Sequence, residues 1–169
     1  MSFRICITGT ESTGKTTLAE QLAVQTGAVL VPDVSREYIA ALNRSYTQAD
    51  VLAIAEEIIA RESRLYVPGK LLISDNDLIN IKIWLMHCNM QVPDWLNEQI
   101  RLRDFELFLL CYIDVPWQAD EQRANPHDRE VLYNHFVNEL KAVNAPYKVL
   151  KGSKEERLEE AKAAIRKIL

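Results

Sequence analysis

The stretch "GTESTGKTTL", Gly9 to Leu18, directly follows the apolar run "FRICIT", and the rest of the chain is read from it. Gly9, Gly14, Lys15 and Thr16 stand at the spacing G-x-x-x-x-G-K-S/T, in which backbone N–H groups wrap phosphates, the lysine reaches the outer ones and the hydroxyl holds Mg²⁺. A helix opening at Lys15 aims its unpaired N–H groups and positive dipole end at the loop. Glycines let an anion approach without a Cβ in the way. With ordinary residue usage the pattern arises by chance in roughly 0.5% of chains this long, so a ligand-free turn accounts for it poorly. The expected nucleotide-binding set is Gly9, Thr10, Glu11, Ser12, Thr13, Gly14, Lys15, Thr16 and Thr17. The open question is where a terminal phosphate held there would go.

Outward from the loop, strands and helices alternate. Residues 3–8 read as a strand, and 15–27 as a helix with Leu18, Leu22 and Ala23 on one face and Gly27 as its stop. "AVLV" at 28–31 is a second strand, ended by Pro32. Residues 35–43 form a short helix opened by Ser35, and 47–66 a long one whose Thr47 and Asp50 have the spacing of a capping pair. After the break "PGK" come a third strand, "LLIS" at 71–74, helices over 77–88 and 93–103, and a fourth strand over 107–113. A polar segment, 114–130, has few apolar anchors. A helix over 129–143, a strand over 147–150 and a helix over 154–169 complete the chain. Such alternation predicts an α/β fold with parallel strands, right-handed crossovers and helices on both sheet faces. No repeat or linker interrupts it, so one domain over 1–169 is expected. In such folds ligands collect outside the carboxyl ends of the strands.

Composition narrows the function classes. A formal charge of -4 argues against a broad nucleic-acid footprint, which needs clustered Lys and Arg. Cys6, Cys88 and Cys111 are odd in number and two lie in apolar runs, which predicts no disulfide framework and a reducing cytoplasm. His87, His127 and His135 lack partners at zinc spacing. No charged leader and no apolar run of ~18 residues is present, so neither export nor a membrane span is expected. The oligomeric state is not legible.

The candidate chemistry lies at the strand ends. After the second strand, "PDVSRE" brings Asp33, Arg36 and Glu37 near the cleft, where a carboxylate takes a proton from a substrate hydroxyl or else caps the next helix. Asp75 follows the third apolar run, the position from which a carboxylate helps hold Mg²⁺. Counted along the next helix, Asp77, Asn80, Ile81 and Trp84 share one face, so acid, amide and indole could form one acceptor wall; the alternative is Trp84 filling the core. Arg123 and Arg129 flank Pro126 in the polar segment, suited to neutralising charge on a transferring phosphoryl group. Solvated surface charge is the other reading of these two.

With these residues in hand, the chain resembles the nicotinamide riboside kinase domain of the NadR type, a branch of the P-loop nucleoside and nucleotide kinases. The resemblance rests on "GTESTGKTTLAEQLA", "VPDVSREYI", "ISDNDLINIKIW" and "YIDVPWQADEQR" followed by "DRE", and covers nearly the whole chain. It implies a three-layer P-loop kinase fold with a five-stranded parallel sheet of order 2-3-1-4-5, and a lid over about 114–130. It also implies ATP with Mg²⁺ as donor, nicotinamide riboside as acceptor and nicotinamide mononucleotide as product, within NAD salvage. Residue by residue, it implies Lys15 on the outer phosphates, Thr16 on the metal with Asp75 assisting, and Asp33 as general base. An exchange of roles between Asp33 and Asp75 stays open. Arg36, Asp77 and Asn80 are then expected to hold the acceptor, Trp84 to pack on its ring, and Arg123 and Arg129 to serve the lid. Members of this family are often fused to an adenylyltransferase domain, for which 169 residues leave no room, so that activity is expected from another protein. Two further readings are a kinase for another nucleoside or small alcohol, and a P-loop ATP-binding regulatory module without small-molecule transfer.

Overall fold

The computed structural model describes residues 3–116 and 128–169. Among the described residues, five strands alternate with seven helices: β1 (Arg4–Thr8), α1 (Lys15–Thr26), β2 (Val29–Val31), α2 (Ser35–Ala40), α3 (Gln48–Leu65), β3 (Leu72–Asp75), α4 (Leu78–His87), α5 (Asp94–Leu102), β4 (Leu107–Cys111), α6 (Arg129–Ala142), β5 (Tyr147–Leu150) and α7 (Lys154–Ile165). The strands pair in parallel in the order β2-β3-β1-β4-β5, the α/β sheet and strand order implied by the resemblance.

The central strands are apolar throughout because helices cover both faces. Cys6, Phe108 and Leu110 point into one core with α3, α4, α5 and α6, including Ile54, Ile81, Leu96 and Phe136. Their strand neighbours Ile5, Ile7, Leu107 and Leu109 point into the other, against Leu18 and Leu22 of α1 and Ala161 and Ile165 of α7. This alternation is the period of two that a strand imposes on its side chains. Cys6, Cys88 and Cys111 are free thiols, and burial pushes the Cys111 thiol up to about 11. No helix among the described residues is long and apolar enough to cross a membrane.

Helix ends follow local chemistry. Gly27 ends α1 in the left-handed region, φ 67, with its N–H on Ala23 O. At the start of α3, the Thr47 N–H donates to Asp50 Oδ2 at 2.7 Å, and Arg44 Nη1 reaches the same oxygen at 2.7 Å. Two boundaries differ from the sequence reading. β4 stops at Cys111 rather than 113, because the Tyr112 carbonyl leaves the ladder to accept from Arg157 Nη2 at 3.0 Å. The α4 helix starts at Leu78 rather than Asp77, which is its extended N-cap, φ -158, accepting from the Ile79 N–H at 2.6 Å.

The register sets the site. Ile7 lies beside Asp75 of β3, and Thr8 beside Leu110 of β4, so the loop after β1 emerges between the carboxyl ends of both neighbours.

Candidate active site

The loop is shaped before any ligand is considered. Gly9 has φ +136, and a Cβ there would stand 2.8 Å from the Cys111 carbonyl oxygen, so backbone conformation and the approach of β4 both demand glycine. Gly14 forms the N-cap of α1 at φ 80, and Ser12 sits at φ 58. The Thr10 carbonyl anchors the interior, accepting from Thr13 Oγ1 at 2.8 Å and Lys15 Nζ at 2.7 Å. The result is a nest of backbone N–H groups at a helix N-terminus, an anion site by geometry and dipole.

Two arginines brace the loop from outside. Arg129, the first residue of α6, donates through Nη1 to Val115 O at 2.9 Å and through Nη2 to Ser12 O at 3.3 Å. Burial, then the neighbouring Arg157 charge, pushes the Arg129 pKa down. Arg157 of α7 is only 4% exposed and donates to Thr13 O at 2.7 Å, Gly152 O at 3.1 Å and Tyr112 O at 3.0 Å, and to the Asp114 carboxylate. Sequence reasoning missed Arg157, which resembles any other charge in a Lys- and Glu-rich helix. The outer nitrogens of Arg129, expected to serve the lid, lie on the Val115 and Ser12 carbonyls. Arg123 lies outside the described residues, as does most of the 114–130 segment.

Beside the loop opens a cleft of about 850 Å³ lined by residues 10–18 together with Asp33, Arg36, Asn80 and Trp84. Asp33 is fixed at its rim: Oδ1 accepts from the Ser35 N–H at 2.8 Å, and Oδ2 from Asn76 Nδ2 at 2.9 Å. Asp33 thus holds the N–H of the first residue of α2, and its carboxylate keeps lone pairs that these two bonds do not use. Asp75 Oδ2 accepts from Thr16 Oγ1 at 2.7 Å, while its buried Oδ1 has no partner among the described residues. Burial pushes the Asp75 carboxyl up to about 6, opposed by the Thr16 hydrogen bond and the Lys15 charge and reinforced by Asp33 and Glu20. A paired hydroxyl and an under-coordinated carboxylate oxygen form the oxygen-donor set that a Mg²⁺ shared with substrate phosphates needs from a protein.

Asp77 does not belong to the cleft. It is fully buried, and its carboxylate faces Arg103 Nε at 3.4 Å. There Arg103 also pairs with Glu62, which accepts from Ser74 Oγ at 2.9 Å. Burial pushes the Asp77 carboxyl up, with Arg103 opposing. The reason is conformational: an N-cap residue has extended backbone, so a helical count that starts from it points the wrong way. Asn80 and Trp84, counted from within the helix, do reach the cleft. Trp84 is half-buried and donates from Nε1 to the Tyr46 hydroxyl at 3.2 Å, the rings meeting edge to face at 5.0 Å. Tyr46 and Asn76, which the sequence reading does not name, also line the cleft, as does His87, which it weighed only as a zinc ligand. Only Asn76, directly after the third strand, carried a positional signal.

The fold recurs in solved structures. A NadR protein in complex with NR is similar over 98% of this chain and 50% of its own, with TM-score 0.81 and 18% identity. A NadR protein in complex with NAD and AMP-PNP matches over 98% and 49%, with TM-score 0.79 and 18% identity. Thymidylate kinase from Candida albicans matches over 98% and 92%, with TM-score 0.72 and 18% identity. The chain thus spans about half the length of the NadR chains it matches. No curated protein matches it in sequence. The AAA domain profile matches residues 4–157, from the first strand through the phosphate loop to the arginine that braces it, and the chain belongs to that P-loop family.

Proposed function

We propose that the protein is an ATP-dependent kinase that phosphorylates the 5′-hydroxyl of nicotinamide riboside to give nicotinamide mononucleotide, a step of NAD salvage. The observation that carries this reading is Asp33: a carboxylate held by two donors at the rim of the cleft that the phosphate loop also lines. The acceptor hydroxyl gives its proton to Asp33 as its oxygen bonds to the γ-phosphorus, and the bond from that phosphorus to ADP breaks. Lys15 and the loop N–H groups hold the β- and γ-phosphates in line. Thr16 and Asp75 would hold Mg²⁺, which when bound neutralises charge on those phosphates. Arg129 and Arg157 act through the loop by fixing the Ser12 and Thr13 carbonyls.

The choice of acceptor is supported by the Trp84 and Tyr46 rings in the cleft. A nicotinamide riboside ring is cationic, and aromatic side chains attract a desolvated cation through their quadrupole. The NadR structure in complex with NR shares this fold and supports the same choice. Three free thiols suit a reducing cytoplasm.

Product analysis by mass spectrometry tests the proposal, with ATP, Mg²⁺ and, separately, nicotinamide riboside, ribonucleosides, deoxynucleosides or no acceptor. A phosphate gain on nicotinamide riboside well above the others is expected. ADP formed equally with and without every acceptor would replace the kinase by a nucleotide-driven regulatory module.

A further inference from the structure

Beside Asp33, two buried polar atoms have no hydrogen-bond partner among the described residues: Asn76 Oδ1 and Ser35 Oγ. Both residues line the cleft, and Asn76 is only 6% exposed. The orientation of the Asn76 amide follows from its neighbour. An ionised carboxylate accepts only, so the nitrogen must face Asp33, where it donates at 2.9 Å, and the oxygen faces away. The residue's backbone is fixed beside Asp33: its backbone N–H donates to Ile7 O at 2.9 Å, and its φ of 71 is in the left-handed region, which asparagine tolerates. A buried carbonyl-type oxygen left unpaired in this way is expensive, and Asn76 belongs to the lining of the cleft.

Resting on the kinase reading above, we propose that Asn76 Oδ1 accepts a hydrogen bond from the acceptor's 3′-hydroxyl, and that Asn76 is therefore a specificity-determining residue for a ribosyl acceptor. The argument is one of reach. With the 5′-hydroxyl on Asp33, the 3′-hydroxyl is the next one along the sugar, and Asn76 is the side chain bonded directly to Asp33. Ser35, whose backbone N–H holds the other carboxylate oxygen, offers Oγ as a second partner on the same side. A site built to bond a hydroxyl discriminates strongly against the analogue that lacks it, because the protein's own group is then left unpaired.

The test compares kcat/KM for nicotinamide riboside and its 3′-deoxy and 2′-deoxy analogues, in the wild type and in Asn76→Gly. Glycine accommodates the positive φ, so this variant removes the side chain without strain. The wild type is expected to prefer the parent over the 3′-deoxy compound by about 10- to 100-fold, with little preference over the 2′-deoxy compound. Asn76→Gly lowers kcat on every acceptor, because Asp33 loses a donor, and it also collapses the 3′ preference to within about threefold. A purely structural role would lower the rates and leave that ratio intact. The inference is overturned if the wild type uses the 3′-deoxy compound as well as the parent, or if Asn76→Gly keeps the full preference. The wild-type ratio decides even where the variant does not fold. Transfer to no nucleoside at all would remove the kinase reading and this inference with it. Transfer without a 3′ preference would remove the inference alone.

Discussion

At neutral pH the Asp75 carboxylate is ionised in a place that resists ionisation, and Asp75→Asn removes that cost. Burial moves this carboxyl from its ordinary 3.8 to about 6. At about 1.36 kcal/mol per pH unit, the charged native state carries a penalty of about 3 kcal/mol relative to the unfolded chain. The sign follows from proton counts. Between pH 4 and 6 the native state keeps a proton that the unfolded chain has lost, so this group's contribution falls as pH rises and levels off above about 6. Asparagine keeps an acceptor oxygen for Thr16 Oγ1 and carries no such term. The expected result, without nucleotide or metal, is a variant and wild type of equal stability near pH 4. A gap of up to about 3 kcal/mol in favour of Asp75→Asn then opens by pH 7. Urea unfolding at several pH values measures both ends. Adding ATP and Mg²⁺ is expected to reverse the order, because ligand that binds the folded wild type stabilises it by mass action. A variant no more stable at pH 7.5, or a gap that persists at pH 4, would refute the reasoning that burial of this charge dominates its energetics.

Asp33→Asn is expected to slow phosphate transfer by about 10²- to 10⁴-fold while leaving ATP affinity within a few fold, read by ADP release and equilibrium ATP binding; full transfer would exclude it as the base. Arg157→Met leaves the Asp114 carboxylate without its cation and three carbonyls without a donor. A loss of about 3–5 kcal/mol in denaturant unfolding is expected, and an unchanged midpoint would mean that the brace carries no energy. Gly9→Ala puts a Cβ 2.8 Å from the Cys111 carbonyl in a conformation alanine avoids. It should cost about 1–3 kcal/mol for the backbone alone and weaken ATP binding measured by titration, and wild-type values for both would contradict the account of the loop.

Sequence reading succeeded where the information is local. The phosphate loop, the stop at Gly27 and the capping pair Thr47 and Asp50 each depend on residues within a few positions of one another. The strand-end rule located Asp33 and Asp75, since parallel sheets deliver their carboxyl ends to one side. What stayed illegible needs long-range contact. Arg103 pairs with Glu62 across 41 residues, and nothing near either one marks it as a buried ion pair that takes Asp77 out of the cleft. Tyr46 sits in a loop without periodicity, so only folding brings its ring to Trp84. Asn76 adjoins Asp75, yet its importance comes from an amide whose two ends have different fates, one bonded and one not.

The braces on the phosphate loop also set a timetable for the chain's synthesis. Ser12 and Thr13 wait for partners 117 and 144 positions downstream. At about 5–20 residues per second, a ribosome takes roughly 7–30 s to deliver the second of them. A nascent chain that already has β1 and α1 therefore carries a loop with neither Arg129 nor Arg157 to hold its carbonyls. A nucleotide that meets the loop at that stage finds carbonyls not yet held, so its affinity for the nascent segment is expected to be weaker than for the folded domain, and lesions in β1 or α1 are masked by ligand only late.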